Sequence, residues 1–63
     1  MSIKDNVDRI RKKRKMTWSE LAEATGLSRD TFMKWDRHSP SVASLQKTAD
    51  VLKCRMSDLL KTG

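Results

Sequence analysis

Residues 28–37, Ser-Arg-Asp-Thr-Phe-Met-Lys-Trp-Asp-Arg, gather the side chains best suited to recognising a partner. On a 3.6-residue period Phe32 and Trp35 share one face, while Arg29, Asp30, Met33, Lys34 and Arg37 fall largely on the other. Arg29 and Lys34 donate hydrogen bonds, Asp30 accepts them, and Met33 supplies a pliable apolar contact. Two large aromatics holding down a short helix leave that polar face free to be presented to something. An ordinary amphipathic surface helix has the same pattern, so the elements around it must separate the two readings.

Gly26 closes the preceding helix and Ser28 is placed to cap the next, its side-chain oxygen taking a free backbone N–H. Upstream, Thr17-Trp18-Ser19-Glu20 has the form of a capping box, followed by Leu21, Ala22 and Ala24. A helix at 18–25, a tight turn and a helix at 29–37 make the outline of a helix-turn-helix. Ser2-Ile3-Lys4-Asp5 is a second capping box, and Ile3, Val7 and Ile10 continue it as an amphipathic helix. Met16 is expected to tuck into the core. His38 stands where helices commonly end in left-handed backbone. Pro40 blocks continuation, and Ser41 caps a helix carrying Val42, Leu45, Ala49 and Leu52 as a buried stripe. A last helical turn presents Met56, Leu59 and Leu60. No stretch alternates as a strand does. The expectation is an all-α fold, one domain over 1–63 with five short helices around one core. Their bounds are about 3–14, 18–25, 29–37, 42–53 and 57–61.

The chain carries 14 Lys+Arg against 8 Asp+Glu, a formal charge of +6, which hints at a polyanionic partner. Seven basic and two acidic side chains lie in residues 1–15, a balance of +5 that leaves +1 for the remaining 48. The excess is concentrated from Arg9 to Lys15, broken by Ile10, and reads either as solvated helix surface or as a phosphate-facing patch. One cysteine, Cys54, cannot form an internal disulfide, and it reads as a small buried hydrophobe rather than a nucleophile. One His, no paired carboxylates and no phosphate-cradling glycine loop argue against an enzyme, so no catalytic residue, metal site or cofactor is expected. No apolar run approaches membrane-spanning length, which together with the cysteine usage suits a cytoplasmic protein.

Ile10-Arg11, Thr17-Trp18-Ser19-Glu20-Leu21-Ala22, Gly26-Leu27-Ser28-Arg29-Asp30-Thr31-Phe32, Trp35-Asp36-Arg37, Pro40-Ser41 and Leu45…Ala49…Leu52 together resemble the lambda-repressor-like, Cro/phage-repressor type of helix-turn-helix domain, the XRE family. The resemblance covers about residues 3–61. It implies that helix 29–37 lies in the major groove of double-stranded DNA while helix 18–25 crosses the phosphate backbone. Arg29, Asp30, Met33 and Lys34 then match base-contacting positions. Arg29 and Lys34 could donate to guanine O6/N7, Asp30 could accept from cytosine N4, and Met33 could lie against a thymine methyl. Thr17, Trp18, Ser28, Thr31, Arg37, Ser39 and Ser41 match backbone-contacting positions. The resemblance also pairs Arg11 with Asp36 in an ion pair locking the first helix to the recognition helix. Trp18 stands where the family usually has Gln, and the Arg9–Lys15 run maps behind or beside the groove.

Two functions follow. The first is a sequence-specific DNA-binding regulator acting on an operator, such modules usually working as two-fold homodimers, with Met56, Leu59 and Leu60 as candidate interface. The second is a small antirepressor-like modulator using the same face, through Trp18, Asp30 and Met33, to bind a partner repressor protein.

Overall fold

A computed structural model describes residues 2–60; the expected last helical residue, Lys61, and the ends of the 1–63 domain lie outside the described residues. The chain folds into five α-helices with no strand among the described residues. Helix α1 spans Ile3–Lys13, and its capping box is complete. The Asp5 N–H donates to Ser2 Oγ at 3.2 Å, and the Ser2 N–H donates back to Asp5 Oδ2 at 3.3 Å. Helix α2, Trp18–Thr25, starts with the same device between Thr17 and Glu20 and ends at Gly26 in left-handed backbone, φ 75°. Helix α3, Arg29–Met33, is capped by Ser28 and tightens into a 3-10 turn over Lys34–Asp36. Helices α4, Val42–Leu52, and α5, Met56–Leu60, complete the fold.

Two helix ends use a device other than glycine. After α1, the Lys15 N–H bonds the Lys12 carbonyl at 3.0 Å and the Met16 N–H bonds the Arg11 carbonyl at 3.1 Å. After α4, the Lys53 N–H bonds the Asp50 carbonyl at 3.2 Å and the Cys54 N–H bonds the Ala49 carbonyl at 3.0 Å. These are Schellman ends, and each puts a lysine in left-handed backbone, Lys15 at φ 56° and Lys53 at φ 55°. Met16 and Cys54 occupy the position that normally turns an apolar group inward, and both pack against the core. His38, expected in left-handed backbone, is not; its N–H continues the helical pattern to the Lys34 carbonyl at 2.8 Å.

The core comprises Val7, Leu21, Ala22, Phe32, Trp35, Leu45, Ala49, Leu52 and Leu59, so every helix contributes to it, whereas Val42, expected in the buried stripe of α4, is 74% exposed at the first turn of that helix. Two buried polar side chains bond main-chain carbonyls. Asn6 donates from Nδ2 to the Leu59 carbonyl at 2.8 Å, tying α1 to α5, and Thr25 donates to the Leu21 carbonyl at 2.8 Å. No helix among the described residues is long and apolar enough to cross a membrane.

Candidate functional site

All three aromatic side chains of the protein stack in one column beneath the α3 surface. Phe32 is fully buried between Trp18, 5.6 Å away between centroids, and Trp35, 4.9 Å away and edge-on at 71°. Phe32 and Trp35 are three residues apart, and the 3-10 turn at Lys34–Asp36 brings side chains of that spacing into line. The tightening therefore lets both rings share one site. It also shortens the α-helix expected at 29–37 to Arg29–Met33.

The opposite side is solvent-facing. Arg29, Asp30, Lys34, Asp36, Arg37, His38 and Ser39 are exposed, and Thr31 and Met33 are half-buried. Asp30, Met33, Lys34, Asp36, Arg37 and His38 line a shallow depression along this surface. Met33 packs one side against the core while bordering that depression, so it can offer only part of its surface to a partner. The cap residues are partly occupied. Ser28 Oγ accepts the Thr31 N–H and lies 2.9 Å from Thr31 Oγ1, and Ser41 donates to Ser44 Oγ at 3.0 Å. Thr17 Oγ1 accepts the Glu20 N–H at 3.1 Å, which leaves its own hydroxyl proton uncommitted among the described residues.

The expected pair between Arg11 and Asp36 does not form. Arg11 instead pairs with Asp8, one turn earlier on its own helix, donates to the Met16 carbonyl at 2.7 Å, and lies over the Trp18 ring at 4.7 Å. A partner three residues away on one rigid helix needs no second element to place it. The Arg11 hydrogen bond holds the Asp8 carboxyl below its ordinary range, with Lys12 at 3.2 Å adding to the effect and burial opposing it. Asp36 is left exposed on the depression. The Asp8/Arg11 spacing is itself the sequence signal for this pairing, whereas no local pattern puts His38 on the border of the same surface. Trp18, held between Phe32 and Arg11, is a structural pillar, so the anchor proposed for a partner repressor is already engaged within the chain.

The turn between α2 and α3 is set by backbone conformation and one inward side chain. Gly26 ends α2, Leu27 is half-buried against the core, and the Leu27 N–H finds Thr25 Oγ1 at 3.3 Å. A short helix exposing a polar face behind a glycine turn and a capped helix defines a helix-turn-helix DNA-binding domain. The chain belongs to the Cro/C1-type HTH DNA-binding domain family, which it matches over residues 6–62. It is also 34% identical over 62 residues to the immunity repressor protein of Bacillus phage phi105. That alignment takes in 95% of this chain and 43% of the relative, so the chain spans less than half of the relative's length.

Proposed function

We propose that this domain is the operator-reading part of a phage-type repressor, with α3 and its 3-10 extension set into the major groove. The observation that carries the reading is the two-sided construction of α3: Phe32 and Trp35 buried, Arg29, Asp30 and Lys34 exposed on the reverse. Arg29 and Lys34 donate to guanine, Asp30 accepts from cytosine N4, and the exposed part of Met33 lies along a thymine methyl. Thr17 and Trp18 at the start of α2, with Ser28, Thr31, Arg37, Ser39 and Ser41, set the register against the phosphates. The relative named an immunity repressor supports repression as the outcome. Two copies on half-sites about one helical turn apart fit this mode of docking. Leu60, exposed at the end of α5, is then a better interface candidate than Leu59, which is fully buried in the core, or the half-buried Met56.

Selection of bound sequences from a random duplex pool tests the reading. A defined site should emerge, and Arg29→Ala should lose about 1–3 kcal/mol on it while relaxing discrimination at one base pair. A pool that returns no preferred sequence would overturn the proposal.

A further inference from the structure

The strongest concentration of charge lies away from the face that reads bases. Lys12, Lys13, Arg14 and Lys15 are exposed at the end of α1, immediately before the Thr17 cap of α2. The fold adds to them from a distant part of the chain: Arg14 donates from its guanidinium to the Lys53 carbonyl at 3.2 Å, joining the turn after α1 to the turn after α4. That bond brings the two turns together, so Lys15, next to Arg14, and Lys53 belong to one edge of the molecule. Lys12 is paired with Asp8 at 3.2 Å. Among the described residues no ion pair neutralises Lys13, Arg14, Lys15 or Lys53. Asp58 borders the edge near Cys54 and accepts the Arg55 N–H at 3.1 Å.

We infer that this composite edge, Lys13, Arg14, Lys15 and Lys53, is a second DNA contact, gripping the phosphate backbone beside the site read by α3. The inference rests on the DNA-binding reading above and extends it. The base-reading face is nearly balanced, with Arg29, Lys34 and Arg37 against Asp30 and Asp36, so it offers little of the unspecific attraction that holds a protein on a polyanion. The composite edge supplies that attraction. Its position follows from the chain and one contact: Lys15 lies two residues before the Thr17 cap of α2, the helix set across the phosphate backbone in this mode of docking, and Arg11 lies over Trp18, the first residue of α2. A phosphate backbone suits this edge better than a lipid surface, because its neighbouring apolar groups, Met16 and Cys54, pack inward against the core.

The test is a salt titration of duplex binding by the wild type and by the triple variant Lys13→Gln, Lys15→Gln, Lys53→Gln, with the triple Lys→Arg variant as a charge-keeping control. Thermal melts verify that each is folded. The glutamine variant should lower the slope of log affinity against log salt by roughly 2–3, at about 0.9 for each phosphate no longer neutralised, and weaken all sequences equally. The arginine variant should keep the wild-type slope. An unchanged slope in the folded glutamine variant would overturn the inference, and so would a weakening confined to the binding of an acidic polypeptide such as polyglutamate. The two proposals fail separately. Sequence-selective binding with an unchanged slope removes only the edge, whereas unselective binding whose slope the glutamines reduce removes only the operator reading. No duplex binding by the wild type removes both.

Discussion

Arg11 bridges three partners, and those partners decide what its removal would do. It bonds the Asp8 carboxylate and the Met16 carbonyl and covers the Trp18 ring, with its side chain only 13% exposed. Removing it deletes a charge-assisted hydrogen bond and a cation–π interaction together. Arg11→Ala should therefore cost about 2–3 kcal/mol in denaturant unfolding. A double-mutant cycle discriminates its partners: Arg11 and Asp8 should couple, whereas Asp36→Asn should stay within about 0.5 kcal/mol of wild type and show no coupling to Arg11. The pH dependence has a definite sign. Because Arg11 and Lys12 depress the Asp8 carboxyl in the folded state, the folded protein holds that proton less tightly than the unfolded chain. The stabilisation is present above the ordinary carboxylate range and disappears as pH falls below about 4 through the depressed value. In melts taken from pH 7 to pH 2, Asp8→Asn should show a shallower acid decline than wild type. An equal decline in both proteins would return the ionic role to another carboxylate.

At the scale of the helices, stability is settled at their ends. Gly26 and Lys15 occupy the same left-handed backbone for opposite reasons of residue type. A Cβ at Gly26 would meet nothing within 4 Å, so Gly26→Ala carries no clash and its cost is the backbone conformation alone, about 1–2 kcal/mol. Lys15→Gly removes that same strain, partly offset by the greater freedom of an unfolded glycine, and should raise stability by about 0.5–1 kcal/mol; Lys53→Gly should behave alike. Thermal melts at fixed pH read both signs, and a Lys15→Gly variant less stable than wild type would show the lysine stem to be a packing element. The helix starts were legible from the chain, since Ser2, Thr17, Ser28 and Ser41 cap through bonds spanning three residues. The ends of α1 and α4 fall within one residue of those expected, but their left-handed lysines were not legible, because rules of residue type assign left-handed backbone to glycine or asparagine and pass over lysine. The 3-10 turn escaped for a different reason. Its cause is tertiary, the need to seat Phe32 and Trp35 in one column with Trp18.

Across the whole molecule, the site was half legible: spacing alone puts Arg29, Asp30 and Lys34 opposite Phe32, but two choices belong to the folded chain. Arg11 had acids available in sequence at Asp8 and Asp36, and Arg14 joins segments 39 residues apart that no local pattern connects. The result is a body of about 26 × 21 × 17 Å carrying a formal +6. Such a body answers salt in two opposed ways. Added salt screens the repulsion along the Lys13–Lys53 edge, so the free protein should melt higher as ionic strength rises. Salt also weakens the hold on DNA through counterion release. A duplex at 100 times its Kd stabilises the fold by about 2.7 kcal/mol, which for a domain of this size is a rise in Tm of roughly 10–20 °C. The melting curves of free and duplex-bound protein should consequently lie far apart near 50 mM salt and converge toward about 200 mM, the free curve rising as the bound one falls. Calorimetric melts with and without a selected duplex measure both limbs. A gap that stays constant across this range would mean that the complex is held without phosphate contacts, contrary to the charge placement on both faces.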